Sequence, residues 1–320
     1  MRPCAVPSRS MSVSAEVRFS VVIPVYRGRA TVARAVASVD RQNPAPNEIV
    51  VIDNEPDSRL QEVLPATRSR LIVVPEPRRG AAAARNAGLR LAASPYVAFL
   101  DCDDSWDPGF LAAMERAIRR HPSAALYTGK AFVIRDDGSR RVPAARIDHR
   151  GFQKILIHNS ITTSATVVLA EAAMSHGGFR EGLRLAAGCE DWALWLALLR
   201  TQPGVTVPAA HATRFEDLDT LRMRGDATLY LDMLDVLREL FPPDTDDIPA
   251  AALAGMAMHR GTQALRGGDA GEARGHFLSA LRLQPVQTRL WLWLALSWLP
   301  PQLARRIRSL RRRALGVASR

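Results

Sequence analysis

The sequence of 320 residues predicts an α/β protein built on a parallel sheet with helices on its faces. Two observations support this fold class. Short apolar runs rich in β-branched residues alternate with segments of helical periodicity or high helix propensity. The apolar runs also end in polar residues, and sheets of this kind bind ligands beyond the carboxyl ends of their strands. The strand ends are therefore the expected place for a functional site.

The predicted elements of the first hundred residues follow in order. Four apolar runs are predicted to be strands: 19–25, 48–53, 70–74 and 96–100. A helix is predicted after Thr31, a plausible N-cap, because apolar residues recur at helical spacing from Val32 to Val39. The alanine-rich segment 80–93 has high helix propensity and predicts a second helix before the fourth strand.

The rest of the chain divides into a mixed middle and a helical end. The middle predicts helices at 108–120 and 190–200 and strands at 124–135 and 162–169. Apolar residues at helical spacing predict four further helices: 226–240, 249–266, 270–283 and 287–299. The resulting division has three parts, a flexible N-terminus at 1–18, the α/β domain at 19–215, and a small C-terminal helical region with a basic tail at 216–320.

Charge and cysteine content narrow the class of protein. The net charge is +11, and seven of the positive charges lie in residues 301–320, where no acid occurs. No nucleic-acid motif accompanies this tail, so nucleic acid is not an expected partner. Three scattered cysteines fit neither a disulfide framework nor a zinc site. With no signal peptide or membrane span recognisable, the expected location is cytoplasmic.

The stretch VAFLDCDDSWDP, residues 97–108, places three carboxylates directly after a buried strand. Asp101 and Asp103, two residues apart on a turn, could share one divalent cation through oxygen ligands, and such a cation would bind phosphates. The alternative is that Asp104 or Asp107 caps the next helix and the other acids are solvated turn residues.

Five segments in a fixed order carry a family resemblance. They are VVIPVY, EIVVIDN, GAAAARNAGLRLA, YVAFLDCDDSWDP and GCEDWALWLAL. With these segments, the stretch from Phe19 to His211 resembles the family 2 glycosyltransferases, which are nucleotide-sugar enzymes. The resemblance implies the GT-A fold, a Rossmann-like mixed sheet flanked by helices.

The resemblance also implies a donor site. Its nucleotide-binding members are Pro24, Tyr26, Asp53, Arg85 and Asp101. Pro24 and Tyr26 would shape the nucleoside pocket, Asp53 would bind the base, and Arg85 would lie near the pyrophosphate. Asp101 and Asp103 would hold Mg²⁺ or Mn²⁺. The implied donor is a nucleotide sugar, with a UDP-sugar expected. His211 lies where some relatives carry a histidine near the metal, although an ordinary surface histidine is the alternative.

The acidic pair Glu190 and Asp191 begins an apolar helix. A carboxylate near a helix N-terminus is kept ionised by the helix dipole and could accept a proton. By resemblance Asp191 is the general base and Glu190 supports it, while ordinary capping is the structural alternative. The implied reaction is an inverting transfer to a hydroxyl of a saccharide or a lipid-linked saccharide, in cell-surface polysaccharide or glycolipid assembly.

Two alternatives to this activity stay open at the level of sequence. A nucleotidyltransferase can share the nucleotide-binding layout, and a non-catalytic relative could bind nucleotide sugars as a scaffold. The C-terminal segment LWLWLALSWLPP, followed by arginines, suits the headgroup region of an anionic bilayer. It predicts peripheral contact with the inner face of the cell membrane, the alternative being a core helix followed by a solvated basic end.

Overall fold

The structure is a computed structural model, and it describes most of the chain. The described residues are 16–55, 59–135, 140–141, 151–157, 159–184, 188–216, 227–242 and 247–300. The predictions for the flexible N-terminus fall mostly on residues 1–15, and those for the basic tail on 301–320, both outside the described residues.

Nine strands of the described residues form one mixed sheet. They are β1 (Phe19–Val25), β2 (Glu48–Asp53), β3 (Arg70–Pro75), β4 (Tyr96–Phe99), β5 (Ser105–Trp106), β6 (Leu126–Arg135), β7 (Arg140–Arg141), β8 (Thr166–Leu169) and β9 (Gly204–Glu216). The order across the sheet is β3-β2-β1-β4-β8-β6-β9-β5, and β7 pairs with β6.

Helices cover the sheet and continue beyond it. They are α1 (Val32–Asp40), α2 (Ala81–Leu91), α3 (Phe110–Arg120), α4 (Gly151–Ile157), α5 (Ala170–Ser175), α6 (Glu190–Thr201), α7 (Ala227–Leu240), α8 (Ala250–Gly267), α9 (Ala270–Leu283) and α10 (Thr288–Leu296). The helices predicted from periodicity are confirmed to within a few residues at each end. None of the described helices has both the length and the apolar composition needed to cross a membrane.

The first four strands form the predicted parallel half of the sheet. β1 pairs in parallel with β2 on one side and with β4 on the other, and β2 pairs in parallel with β3. All residues of β4 and nearly all of β1 and β2 are buried, because helices cover both faces of this half. The predicted apolar runs are continuous rather than alternating for this reason, since each has to supply both faces of a buried strand.

Helix α2 lies unusually close to β1. A Cβ atom added at Gly88 would overlap the side chain of Val22, so only glycine permits this approach. The close packing fixes α2 above the sheet and brings its buried residue Arg85 towards the ends of the strands.

The second half of the sheet departs from the simple parallel expectation. β8 runs antiparallel to both β4 and β6, and the 13-residue strand β9 pairs in parallel with β6. The sequence did not reveal β9, because its proline and its three alanines weaken the alternation of a half-buried strand. The predicted strand at 162–169 is wrong at its start, where Thr163–Ala165 form a 3₁₀ turn.

The C-terminal helices pack on the α/β unit. Leu237 of α7 and Ala252 of α8 belong to the same apolar cluster as Val22 and Trp195. A smaller cluster joins α8, α9 and α10 around the fully buried Leu290. The boundary predicted near residue 215 stays a prediction.

Candidate active site

Three strand ends meet at one edge of the sheet. Because β1 lies between β2 and β4, the residues that follow these strands are neighbours across the sheet. Val25 pairs with Asp53, and Val22 pairs with Phe99, two residues before Asp101. The structure thus brings Tyr26, Asp53 and Asp101 to the same crevice edge, as the sequence predicts.

The predicted nucleoside pocket is open at this edge. Tyr26 is 50% exposed, and the guanidinium carbon of Arg27 lies 5.3 Å from the centre of its ring. Asp53 Oδ1 accepts a hydrogen bond from the backbone N–H of Glu55, at 3.1 Å. Pro24 is half-buried in β1. An exposed aromatic ring beside a fixed carboxylate suits a planar base.

Asn54 organises the loop before α2, a role that sequence reasoning missed. Its Nδ2 donates to the carbonyls of Glu76 and Arg78 at 2.7 and 2.6 Å, and its Oδ1 accepts from the backbone N–H of Gly80 at 3.0 Å. The buried amide therefore links the end of β2 to the start of α2. A short polar residue directly after a strand end is the signal that could have found it.

Arg85 is the central cation of the site. Its Nη1 donates to Glu190 Oε1 at 2.8 Å, and its Nη2 donates to Asp101 Oδ1 at 2.7 Å. Arg85 and Glu190 are each about 5% exposed. Burial acts to lower the pKa of Arg85, but the charges of Asp101 and Glu190 outweigh it and raise that pKa. Because Arg85 is buried, it is not an ordinary surface arginine of α2.

The acidic turn after β4 holds more negative charge than its neighbours neutralise. Burial acts to raise the pKa of Asp101, but Arg85 lowers it below its ordinary value. Part of the Asp103 side chain is exposed, yet partial desolvation by the surrounding protein and the charge of Asp101 raise its pKa. Burial together with both neighbouring carboxylates raises the pKa of Asp104 well above its ordinary value. The turn is therefore poised to gain a cation or protons.

Asp104 and Asp107 do not cap α3. Asp104 Oδ2 accepts from Ser164 Oγ at 2.5 Å, and its Oδ1 accepts from the backbone N–H of Phe215 at 3.2 Å. Asp107 Oδ1 accepts from Thr213 at 3.4 Å, and the N-cap of α3 is Gly109, with no side-chain hydrogen bond. The capping alternative for these two acids is wrong.

The 3₁₀ turn Thr163–Ala165 joins the two acidic motifs, which is a second feature missed in the sequence. Ser164 Oγ donates to Asp104 and accepts from the backbone N–H of Asp101 at 3.2 Å. The preceding residue, Thr163, donates to Asp191 Oδ2 at 2.9 Å. Adjacent hydroxyls thus contact the acids after β4 and the acid on α6. The run of Thr and Ser residues at 162–164 is the signal that could have found this turn.

Asp191 has the environment of a base. Its carboxylate accepts hydrogen bonds from Thr163, from Asn159 Nδ2 at 3.3 Å and from the backbone N–H of Trp192 at 2.6 Å. Burial, followed by the negative charge of Glu190, raises the pKa of Asp191 to about 6. These effects outweigh the charge of Arg85 and the hydrogen bonds from Thr163 and Trp192, which act to lower the pKa. Asp191 is still mostly ionised at neutral pH, and it binds a proton more readily than an ordinary aspartate.

The donor set of the acidic turn fits a divalent cation. Asp101 and Asp103 supply hard oxygen ligands. Burial and the charge of Asp101 raise the pKa of Asp103, and a nearby cation would act in the opposite direction. Within the described residues, no group of three or more His, Cys, Asp and Glu side chains is arranged to hold a metal. Two carboxylates with the remaining ligands from phosphate and water is the arrangement that Mg²⁺ commonly takes.

His211 lies near this turn but is engaged elsewhere. Its Nε2 lies 2.9 Å from the carbonyl of Pro208, and its Nδ1 lies 3.9 Å from Asp107 Oδ2. On the same strand, Arg214 Nε lies 3.7 Å from Asp104 Oδ2. Arg214, which the sequence did not single out, is thus the nearest cation on β9.

Comparison with curated proteins finds relatives among bacterial glycosyltransferases. The chain is 28% identical over 185 residues to the Escherichia coli protein "UDP-Glc:alpha-D-GlcNAc-diphosphoundecaprenol beta-1,3-glucosyltransferase WfgD", covering 57% of this chain and 69% of that protein. It is 34% identical over 126 residues to the succinoglycan biosynthesis protein ExoW of Rhizobium meliloti (strain 1021), covering 36% of this chain and 40% of ExoW. The chain thus spans less than half of ExoW.

Solved structures share the fold at low identity. Staphylococcus aureus TarS 1-349 in complex with UDP-GlcNAc superposes with a TM-score of 0.57 at 17% identity, covering 90% of this chain and 87% of that one. GalNAc-T7 with UDP, GalNAc and Mn²⁺ superposes with a TM-score of 0.57 at 18% identity, covering 82% and 54%. These neighbours confirm the predicted GT-A fold.

The family assignment comes from the sequence itself. The sequence model of the family described as "Glycosyl transferase family 2" matches residues 20–182, just over half of the chain. The matched stretch contains β1 except its first residue, β2 to β4 and the acidic turn, the elements that form the crevice. The chain belongs to glycosyl transferase family 2, as its five ordered motifs predict.

Proposed function

We propose that the protein transfers a sugar from a nucleoside diphosphate sugar to a hydroxyl group, with inversion at the anomeric carbon. The observation that carries this proposal is the buried ion-pair chain from Asp101 through Arg85 to Glu190, with Asp191 beside it. The guanidinium of Arg85 thereby joins Asp101, on the predicted donor side of the crevice, to Glu190, which is next to the predicted general base. The architecture suits a reaction that needs a leaving diphosphate and a proton acceptor in fixed relation.

Asp191 is proposed as the general base. Its pKa of about 6 lets it stay ionised at neutral pH and accept a proton from the attacking hydroxyl. Thr163 and Asn159 hold the Asp191 carboxylate in place. The negative charge of Glu190, which is held by Arg85, helps to raise the pKa of Asp191. Because the acceptor oxygen attacks the face opposite the leaving group, no covalent enzyme intermediate is required.

The donor side is proposed to contain Pro24, Tyr26, Asp53, Arg85 and Asp101. Tyr26 offers an exposed ring to the nucleobase of the donor, and Arg85 holds the Asp101 carboxylate in a fixed position. Asp101 and Asp103 would hold Mg²⁺ or Mn²⁺. Such a cation, when bound, supplies positive charge that stabilises the departing diphosphate. The solved neighbours contain UDP-GlcNAc, or UDP with Mn²⁺, which supports a UDP-sugar as donor.

The acceptor is proposed to be a saccharide or a lipid-linked saccharide. The E. coli relative is named for a diphosphoundecaprenol-linked acceptor and ExoW for succinoglycan biosynthesis, which supports a role in cell-surface polysaccharide assembly. A lipid-linked acceptor on the cytoplasmic face of the cell membrane fits this class. The α/β unit at 19–215 is proposed as the catalytic part, and residues 216–320 as its helical extension.

The proposal is tested by thermal shift with nucleoside diphosphates and nucleotide sugars, each with and without Mn²⁺. We expect a stabilisation that requires metal and is lost in Asp103→Asn. Asp269→Asn is the matched control, since Asp269 caps α9 by accepting from Glu272 N and asparagine caps as well. If no nucleotide stabilises the folded protein, the donor site is wrong.

The products then separate this activity from its alternatives. Mass spectrometry of reactions with candidate acceptors should show sugar transfer with release of a nucleoside diphosphate. Pyrophosphate release would instead support a nucleotidyltransferase, and nucleotide binding without turnover a non-catalytic relative. Transfer that persists in Asp191→Asn would remove Asp191 from the role of base.

A further inference from the structure

The C-terminal helices carry most of the exposed apolar side chains. Of the nine large hydrophobic side chains that are exposed among the described residues, five lie between residues 278 and 298. They form what we call the C-terminal apolar surface: Leu278, Leu283, Val286, Trp291 and Trp298. Val286 is 87% exposed and Trp298 72%. Contiguous exposed apolar patches commonly mark sites of interaction with proteins or membranes.

Helix α10 separates an inward face from an outward face. Its inward residue Leu290 is buried in a cluster with residues of α8 and α9, and Leu296 is buried as well. Its outward residues Trp291 and Ala295, and Trp298 directly after it, are all exposed and follow the spacing i, i+4, i+7. An outward face rich in tryptophan is therefore part of a helix that is already anchored by its other face.

Contacts within the chain keep the two tryptophan rings outside. Trp291 Nε1 donates to the carbonyl of Pro285 at 2.8 Å. The guanidinium of Arg274 lies 4.5 Å from the ring of Trp298 and donates to the carbonyl of Ser297 at 3.1 Å. Both rings thus stand at the surface with polar partners beside them, the arrangement that tryptophan adopts at a membrane interface.

The charged residues in the last part of the sequence have one sign. Residues 273–320 contain ten arginines and neither aspartate, glutamate nor lysine. Arg274, Arg282 and Arg289 flank the exposed apolar side chains, and the other seven arginines follow within residues 301–320. A partner must therefore supply negative charge together with an apolar layer.

We propose that the C-terminal apolar surface docks the protein on an anionic lipid bilayer. Trp291, Trp298 and Val286 enter the headgroup and upper acyl region, and the arginines bind the anionic headgroups. Nucleic acid would use the charge but not the exposed aliphatic side chains. A second copy would bring two positively charged surfaces together. Of these three partners, the bilayer satisfies both features, and the inference goes beyond the proposed sugar transfer.

The docked helices are connected to the candidate active site. Helix α8 approaches α4 so closely that a Cβ at Gly255 would overlap the backbone of Ile157. Two residues further along the chain, Asn159 donates to Asp191. Docking through α10 therefore holds the proposed base in a defined relation to the bilayer, which suits an acceptor presented by a lipid.

Vesicle cosedimentation of the full-length protein tests the proposal. Vesicles contain phosphatidylcholine alone or phosphatidylcholine with phosphatidylglycerol. We expect binding to be at least about tenfold stronger with the anionic lipid, and to weaken with salt. The double variant Trp291→Ala/Trp298→Ala should bind at least about tenfold more weakly. Brominated lipids should quench tryptophan emission in the wild type and much less in the variant.

The matched control is Met174→Ala/Leu231→Ala, which removes two side chains of similar exposure elsewhere on the molecule. It should bind vesicles as the wild type does, with melting temperatures reported for all variants. A deletion limited to residues 301–320 should reduce binding to the anionic vesicles. A deletion beginning at residue 287 is less informative, because it removes the buried Leu290.

Three outcomes would overturn the proposal. They are binding that ignores lipid charge, binding that the tryptophan variant retains, and a concentration-dependent dimer that the same variant abolishes in sedimentation without vesicles. Tight binding to duplex DNA with no loss in the tryptophan variant would show a basic tail only. The assay uses no nucleotide or acceptor, so its result is independent of the proposed sugar transfer.

Discussion

Arg85 and Arg78 each bind two carboxylates, but they do so in opposite environments. The Arg85 side chain is 7% exposed between Asp101 and Glu190. The Arg78 side chain is 51% exposed and binds Glu76 and Glu181 at similar distances. The two arginines therefore provide a natural comparison of a buried and a solvent-exposed guanidinium in one protein.

Replacing Arg85 should cost far more stability than replacing Arg78. Arg85→Met leaves two carboxylates without their counter-cation, and we expect a loss of about 3 to 5 kcal/mol in the free energy of unfolding. Arg78→Met should cost far less, because solvent already reaches the Arg78 guanidinium and Glu76 keeps its hydrogen bond from the backbone N–H of residue 78. Urea unfolding measures both losses, provided that the slope of the unfolding free energy against urea concentration is the same in the variants and the wild type. Equal losses would contradict the burial assigned to Arg85.

A second substitution isolates the ion pair from side-chain packing. Adding Glu190→Gln to Arg85→Met removes one of the orphaned charges, so part of the lost stability should return. A double-mutant cycle gives the coupling energy between the two residues. A coupling near zero would mean that Arg85 acts through its packing against Phe179, which lies 5.4 Å from the guanidinium.

Asp191 predicts a pH dependence of both activity and stability. Its pKa rises from an ordinary 3.8 to about 6 on folding, so the folded state binds the proton more readily than the unfolded state. The stability contributed by this group is therefore present at low pH and is lost as the pH rises from about 4 to about 6. Asp191→Asn removes this loss, so its stability relative to the wild type should improve between pH 4 and pH 8, by at most about 3 kcal/mol.

The activity should change in the opposite sense. If Asp191 is the base, the wild-type kcat/KM falls below a pH of about 6 with a slope of one, and Asp191→Asn loses both the activity and this limb. Asp269→Asn should keep the wild-type profile. A wild-type profile that is flat through pH 6 would contradict the assignment, whatever the stability data show.

At the scale of elements, the position of α2 depends on a glycine. Gly88 permits contact with Val22 of β1, whereas Gly275 of α9 has open space around its Cβ position. Both glycines are inside helices, so alanine improves the helix propensity at each by about 1 kcal/mol. Only at Gly88 does the added methyl group meet the sheet.

Gly88→Ala and Gly275→Ala should therefore change stability in opposite directions. Overlap with Val22 should make Gly88→Ala destabilising by about 1 to 3 kcal/mol, and Val22→Ala should reduce that penalty. Gly275→Ala should be neutral or stabilising by up to about 1 kcal/mol. Thermal unfolding measures both. A stabilising Gly88→Ala would show that α2 can move away from β1.

At the scale of the whole molecule, the C-terminal helices share the core of the α/β unit. Leu237 of α7 is fully buried in the cluster that contains Trp195 of α6. Two ion pairs join α7 to the segment before α6, Arg184 with Asp232 and Arg180 with Glu239. The helical extension therefore covers the helix that carries the proposed base.

Because of this shared core, we expect that only residues 301–320 can be removed without loss of stability. A chain ending at residue 216 exposes the apolar cluster under α7, so we expect it to lose cooperative unfolding or to aggregate. A chain ending at residue 300 should unfold in one transition near the melting temperature of the full chain. Circular dichroism during heating distinguishes the two. A stable, cooperative chain ending at 216 would instead support the α/β unit as an independent folding domain.

The sequence by itself determined the parallel half of the sheet, the amphipathic helices and the family. Each depends on local information, because a buried strand or a helix face is written in consecutive residues such as Ile49 to Ile52 or Val32 to Val39. The ordered motifs also placed Arg85, Asp101 and Asp191 among the candidate site residues, although their proposed roles stay predictions.

Only the tertiary structure decided how these residues are connected. Arg85 joins Asp101 and Glu190 across 105 positions of sequence, and the Thr163–Ala165 turn bridges two motifs from a segment with no motif of its own. The raised pKa of Asp191 likewise depends on burial among distant elements, together with the charge of Glu190. Local pattern records which face of an element is buried, but not which charges meet there, because that depends on the packing of elements far apart in the chain.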